Sequence, residues 1–410
     1  MGQVRDGITK RGRTWSYVLR VTDRETGHSK PKWVGGFRTE DEAKAARDLA
    51  RVAIRRQEYV ERRPITLGQY LSAWLDAHAV ELKPNTLRGY RDNVRTYVVP
   101  RIGRLRLQAI TPNTLSAFYR ELLTSGGRGG GPLSPATIDY VHAVLRKALT
   151  DAVEIDGLLT KNPALRAKRP RKDPQRVAVL WSTDHLRRFL KHAESNRLGV
   201  FFRVAAYTGA RRGEVLNLRW ADVDLDGSQL RIVGSTDVIE GKRVDGTTKG
   251  GRERTISLDT GTVAALREHR DRQEADREFA ASSWVEGDWL FRRQLGDRIY
   301  PDTVSALMRR LTVEHNAAHP EHALPVIRLH DLRHLHATML LLAAVPVHVV
   351  AARLGHRDPA ITLRVYAHVI DLQAFEVASV FAAAVASDDA ETGAPASSSV
   401  SKSASGQVSR

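Results

Sequence analysis

Two short basic stretches that contain proline, Arg62-Arg63-Pro64 and Lys168-Arg169-Pro170-Arg171-Lys172, constrain this chain most. Proline lacks the N–H that a helix interior or a central strand needs, and it pushes the preceding residue away from the α region. Both stretches therefore read as linkers. They divide the 410 residues into segments 1–63, 64–172 and 173 onward, and each segment must bury its own apolar residues. With 42% hydrophobic residues in the chain, packed cores are available to all three. Residues 386–410 turn to Ser, Ala and Gly and read as a disordered tail. The expected fold is mostly α with small β-sheets, in a multidomain chain. It has an N-terminal small β-sheet plus helix, then a helical domain, then a mixed α+β domain over 173–385.

In the first segment, Trp15 to Val21 alternates as a strand does, and Lys32-Trp33-Val34 begins a second strand. Thr39 followed by Glu40, Asp41 and Glu42 predicts a helix start, with the helix running to about Arg56. Trp15, Trp33 and Phe37 are expected to form the miniature core. Residues 1–63 carry 16 Lys/Arg against 9 Asp/Glu. A small basic sheet can lie in a DNA major groove, and Lys10, Arg11, Arg13, Arg20, Lys30 and Lys32 are the candidate contacts.

The middle segment reads as four or five helices. Leu67, Tyr70, Leu71, Trp74 and Leu75 line the first. Tyr90, Val94 and Tyr97 line the second, which Pro100 to Gly103 should end, and Arg88, Arg91 and Arg95 form a basic stripe on its other side. Thr111-Pro112 and Ser134-Pro135 open two more, with proline in the first turn. The stripe suits a phosphate backbone and equally the wet side of an amphipathic helix.

Charge narrows the partners. Lys+Arg number 64 and Asp+Glu 47, a formal charge of +17, which favours a polyanion, nucleic acid first. Cysteine is absent, so disulfides, thiolate zinc sites and cysteine nucleophiles drop out together. No secretory h-region and no membrane span is visible, and a cytoplasmic location is expected.

The third segment holds the chemistry. Arg211 follows the Thr208-Gly209 helix break, and Glu214 lies three residues on, a spacing that by itself fits an ordinary surface ion pair. Asp222 to Leu258 reads as one small antiparallel sheet, with Lys249-Gly250-Gly251 as a hairpin turn. His330 and His334, at i and i+4 with Asp331 between them, resemble a zinc-protease helix. Asp331 is one methylene short of the glutamate that motif uses, and no third ligand follows at a suitable spacing. The alternative pairs His330 with Arg333, one turn apart, as phosphate contacts.

Taken together, Thr208-Gly-Ala-Arg211-Arg-Gly-Glu214, Lys249-Gly-Gly-Arg-Glu-Arg254, His330-Asp-Leu-Arg333, Leu354-Gly-His356 and Tyr366 resemble the tyrosine recombinases, specifically phage or mobile-element integrases. Ala210 departs from the larger apolar residue common there. The resemblance extends forward: residues 1–63 look like an arm-type DNA-binding domain and linker helix, 64–172 like a helical core-binding (SAM-like) domain, and 173–385 like the catalytic domain. It implies a site-specific recombinase in which Tyr366 attacks a phosphodiester to give a 3′-phosphotyrosyl link. Arg211 and Arg333 would clamp the phosphate, His330 would take a proton or contact the phosphate, Lys249 would protonate the leaving 5′-oxygen, and His356 would hydrogen-bond the phosphate. Glu214 would support the set. The resemblance further implies no metal, no ATP and no other cofactor. The implied partners are double-stranded DNA attachment sites, a homotetramer on DNA, and a host DNA-bending factor and an excisionase. The helix from Asp371 to Val385 would pack on a neighbouring protomer. A DNA-binding regulator that kept the fold without the reaction is the alternative.

Overall fold

The computed structural model describes residues 7–22, 28–55, 60, 63–171, 181–248, 250–363 and 382. The chain divides into two compact units, Met1–Arg176 and Val177–Arg410. The expectations for Lys249, Tyr366, the helix after it and the tail lie outside the described residues.

The first unit opens with β1 (Ile8–Arg11), β2 (Thr14–Thr22) and β3 (Ser29–Phe37), antiparallel in that order. Sequence reading anticipated two strands; the third, β1, is short and polar. Gly12, at φ +62°, makes the tight β1–β2 turn that glycine favours as first loop residue. Helix α1 (Glu40–Arg55) follows. Its Thr39 cap accepts the Glu42 N–H at 3.2 Å, while the Glu42 carboxylate accepts the Arg38 N–H at 2.8 Å. Ile8, Tyr17, Leu19 and Ala43 form the core, with Trp15, Val34 and Phe37 packed at its edge. Trp33 is the exception to the expected miniature core, at 39% exposed. Adjacent strand residues face opposite sides, and Val34 takes the inward place. Trp33 stacks instead under the Arg11 guanidinium, 4.1 Å from its ring centre.

The same unit continues with α2 (Leu67–Ala77), α3 (Pro84–Asn93), α4 (Val99–Ile102), α5 (Pro112–Ser125) and α6 (Pro135–Glu154). Thr66, Thr111 and Ser134 cap α2, α5 and α6 through their hydroxyls. The second helix ends at Gly103, its C-cap, within the expected Pro100 to Gly103 stretch, and Pro100 itself lies in its last turn. A π turn over Val94–Val98 precedes it, and the helix runs on to Ile102. Pro100 has no N–H for the preceding turn, and Arg101 Nη1 reaches the orphaned carbonyls of Thr96 and Tyr97 at 3.5 and 3.4 Å. Leu71, Phe118, Tyr119, Leu145 and Leu149 lie at the centre of this core. Asp151 is its buried polar hub, accepting from Trp74 Nε1 at 2.8 Å and facing His78 Nε2 at 3.3 Å and Lys147 Nζ at 3.5 Å.

The second unit contains α7 (Thr183–Ala193), α8 (Gly199–Thr208), α9 (Arg212–Asn217), β4 (Val223–Asp224), β5 (Gln229–Ile232), β6 (Gly234–Ile239), β7 (Lys242–Thr247), β8 (Arg254–Ser257), α10 (Thr260–Ala280), α11 (Pro301–Ala318), α12 (Asp331–Leu342) and α13 (Val347–Leu354). The single sheet expected over 222–258 is in fact two. One has the order β4-β5-β8, and the other is the β6–β7 hairpin. Strand β7 ends at Thr247 in one sheet and β8 begins at Arg254 in the other, and Gly251 N–H donates to Thr248 O at 2.9 Å. Asn217 Nδ2 and Arg298 Nη2 both reach Thr236 Oγ1 and brace the hairpin, which explains why it leaves the larger sheet.

Replacing Asp151 with Ala strands the buried Trp74 N–H. The expected loss is about 1–3 kcal/mol, read as a lower urea midpoint of the transition that reports the Met1–Arg176 unit.

Candidate active site

The elements that carry the motif residues converge: α12 packs on α8 and α13, α13 on β8, and α8 on α9. Helix α8 is largely buried, with Arg203 turned to Asp259, and ends at Gly209, left-handed at φ +63°. A Cβ there would also come within 2.7 Å of His336 and 2.8 Å of Leu354, so both backbone angle and space require glycine. The reversal delivers Arg211 to the N-cap of α9.

Glu214, one turn into α9, is only 1% exposed. Its carboxylate accepts the Arg211 N–H at 3.0 Å, Arg211 Nη1 at 2.8 Å and Arg254 Nη2 at 2.7 Å. Burial alone would push this carboxyl up; the hydrogen bond and charge of Arg254, then those of Arg211, outweigh it and hold the pKa below its ordinary value. The surface-pair reading of Arg211 and Glu214 is therefore corrected. The spacing is that of a surface pair, but α9 turns its carboxylate inward, where two guanidinium groups share it.

Arg254 also donates from Nε to the Arg353 carbonyl at 2.8 Å. Gly355, at φ +69°, leaves room for it, since a Cβ there would stand 2.6 Å from Arg254 Nη1. Arg333 is buried and donates from Nη1 to Gly209 O and from Nη2 to Leu354 O, both at 2.7 Å. These carbonyls lie at the C-terminal ends of α8 and α13, where the helix dipoles favour a cation.

His330 precedes α12, exposed on one edge, with its ring 5.1 Å from that of His334. Burial of its inner side, then the charges of His334, Arg333 and Arg211, push its pKa down. His356 follows the Gly355 turn and shares a hydrogen between Nδ1 and the fully buried Thr362 Oγ1 at 2.7 Å. Burial, then Arg333, Arg211 and Arg254, push it down to about 4. Both imidazoles are neutral at pH 7. Arg211, Arg333, His330 and His356 are thus gathered around one cationic corner. Gly250 borders it, since a Cβ on Gly250 would lie 3.8 Å from Gly355 O.

The zinc arrangement is not built. Asp331 is held by Arg328 Nη2 at 3.0 Å, and among the described residues no three His, Asp or Glu side chains converge on a point that could hold a metal ion. The surface candidates are less gathered than the site residues. Arg11 and Arg20 share the Trp33 face of the first sheet, whereas Lys10, Lys30 and Lys32 fall in register with the opposite face. Arg13 is exposed in the β1–β2 turn. Arg88, Arg91 and Arg95 form the expected exposed stripe, with Arg91 paired to Asp76 at 3.1 Å and Arg95 to Asp92 at 3.0 Å.

Comparison with known proteins identifies the family. Residues 181–372 match the phage integrase family, residues 66–123 its N-terminal SAM-like domain, and residues 7–49 an arm DNA-binding domain. The chain belongs to the phage integrase family of tyrosine recombinases. A XerC-like tyrosine recombinase of Caldanaerobacter subterraneus is 27% identical over 82% of this chain and 88% of its own length. An integrase of Saccharopolyspora erythraea is 28% identical over 75% and 80%. Among solved structures, the Tn1549 transposon integrase in complex with a circular intermediate DNA shares the fold at a TM-score of 0.63. It is 19% identical and covers 73% of this chain and 94% of that one. A lambda integrase tetramer bound to a Holliday junction aligns at a TM-score of 0.52 and 17% identity, covering 87% and 96%.

In this recombinase, two residues of the corner escaped sequence reading. Arg254 stands within the Lys249 motif on a strand of alternating pattern, and an arginine among Thr, Ile and Leu was a usable signal. Thr362 had none, because its partner His356 is set by the Gly355 turn. Among the described residues no helix is long and apolar enough to cross a membrane.

Replacing Glu214 with Gln leaves two guanidinium groups facing a neutral amide. The expected loss is about 3–5 kcal/mol in the catalytic unit. The folded carboxyl is depressed, so its contribution is present above the unfolded carboxylate pKa and fades as pH falls through the folded one. Denaturant titrations at pH 7 and pH 3 should therefore show the two proteins converging at the acid end.

Proposed function

We propose that this chain is a site-specific DNA integrase that cuts and rejoins strands through a covalent link to Tyr366. The supporting observation is the corner itself: two fixed arginines and two neutral imidazoles within electrostatic reach of one another, in a chain whose basic excess suits DNA. Arg211 and Arg333 bind the non-bridging oxygens and stabilise the charge that develops on them. The phenol of Tyr366, ordinarily near pKa ~10, loses its proton to His330 as its oxygen bonds to phosphorus. The 5′-oxygen leaves and takes a proton from Lys249. A neutral His330 can accept that proton, and His356 donates to the phosphate. Glu214 and Arg254 hold Arg211 in place. Religation is the reverse reaction with another 5′-hydroxyl, so the phosphodiester energy is retained and neither ATP nor a metal is called for.

The division of labour follows the segments. Residues 1–63 bind arm-type sites, with Arg11, Arg20 and Trp33 offering one continuous face, and residues 64–172 with Arg88, Arg91 and Arg95 embrace the core site. Residues 173–385 carry the chemistry. Strand exchange pairs two duplexes and needs a homotetramer on DNA, as in the lambda integrase assembly; a DNA-bending protein and an excisionase set direction. The protein works in the bacterial cytoplasm, on the nucleoid, integrating a phage or mobile element.

Wild-type protein on a nicked suicide attachment site is expected to leave a covalent protein–DNA adduct on a denaturing gel, and Tyr366→Phe none. An adduct with Tyr366→Phe would show that another residue is the nucleophile. Intact DNA binding with no adduct from wild type would favour the silent regulator.

A further inference from the structure

Arg353 has no role in the scheme above, yet its half-buried side chain joins three other elements of the site. From α13 its Nε donates to His336 Nε2 on α12 at 3.1 Å. Nη2 donates to the Tyr207 carbonyl in the last turn of α8 at 3.0 Å and to the Ser257 carbonyl at the end of β8 at 3.1 Å. Nη1 donates to Ser257 Oγ at 3.2 Å. Each of these elements delivers one part of the phosphate corner: α8 leads through Gly209 to Arg211, β8 starts at Arg254, α12 carries Arg333, and α13 leads to His356. We infer that Arg353, seated on His336, is a positioning residue that sets the spacing of the two phosphate-binding arginines.

The route is geometric. His336 lies against Gly209, the residue whose carbonyl holds Arg333 Nη1. It also makes a backbone hydrogen bond to Ala206, so the ring is fixed from both sides. Arg353's own carbonyl is held by Arg254, whose other end holds Glu214 and thereby fixes Arg211. One guanidinium thus ties α13, whose Leu354 carbonyl holds Arg333, to α8 two residues before Gly209 and to the end of β8. Lysine is no substitute, because a single ammonium cannot hold three directions in a planar fork. A shift of about 1 Å in a reacting group costs on the order of 10²-fold in rate, so loss of the clamp falls on the chemical step while the broad DNA interface remains.

This inference rests on the recombinase reading, and the experiment separates the two. Wild type, Arg353→Met, Arg353→Lys and His336→Gln are compared for core-site DNA affinity and for adduct rate on nicked substrates. The substrates carry either a phosphate or an uncharged methylphosphonate at the scissile position. Methylphosphonate removes the charge that Arg211 and Arg333 stabilise, and wild type should be strongly slowed by it. The expectation for Arg353→Met is DNA affinity within about threefold of wild type and an adduct rate lower by on the order of 10²-fold. Its ratio of phosphate to methylphosphonate rates should be compressed toward one. Arg353→Lys should be slowed with an intermediate ratio, and His336→Gln, which keeps an acceptor for Arg353, should lie closest to wild type. If Arg353→Met proves poorly folded by its thermal melt, the Lys variant carries the comparison. Equal slowing on both substrates, or wild-type rates in the Met or Lys variant, overturns the inference. A wild type that makes no adduct on either substrate overturns the recombinase reading and this proposal with it.

Discussion

The catalytic unit depends on one buried carboxylate. Glu214 accepts from both Arg211 and Arg254 within 2.8 Å, at almost zero exposure. A buried carboxylate without partners would be too costly to keep, and a buried pair with imperfect geometry gains little. Here one anion serves two cations and a backbone N–H, so each donor constrains the direction of the others. Arg211 keeps a partly open side, which the proposed phosphate contact requires, and the closed side is fixed by Glu214.

Helix ends supply the second constraint. Arg333 and Arg254 donate to carbonyls at the C-terminal end of α13, and Arg333 bonds also to the end of α8. Those carbonyls lack helical partners and carry the negative end of the dipole. The left-handed glycines 209 and 355 let the chain turn immediately after each end, and each turn leads directly into a site residue. Positive charge is thereby concentrated at the corner while its protein contacts stay satisfied. Burial, and then the charges of these guanidinium groups, keep the imidazoles of His330 and His356 neutral. A negative charge brought to the corner offsets part of that effect, since it favours the protonated imidazole.

Sequence reading captured what depends on local pattern and on motif order. The helix starts at Thr39, Thr111 and Ser134 follow from residue type and spacing. The motif set around Arg211, His330, Arg333 and His356 could be assembled because its members keep their order along the chain. What escaped depends on register and on distant packing. The side of β3 that Trp33 faces is decided by its pairing with Val18, and the separation of the β6–β7 hairpin by contacts that Thr236 makes with Asn217 and Arg298. Glu214 looked like a surface partner because nothing local shows that Arg254 arrives from forty residues away. Arg353 was unremarkable in sequence for the same reason: all four of its contacts come from other elements.

The central claim is that Arg211 and Arg333 make a phosphate pocket whose two half-buried histidines are neutral, as proton acceptance by His330 requires. It is tested most directly by following the imidazole resonances of His330 and His356 through a pH titration, without and with core-site DNA. The account predicts that both titrate well below the free-imidazole value in the protein alone, His356 near about 4, and that both rise when DNA is bound. Ordinary titration near pH ~6.5, unmoved by DNA, would contradict it.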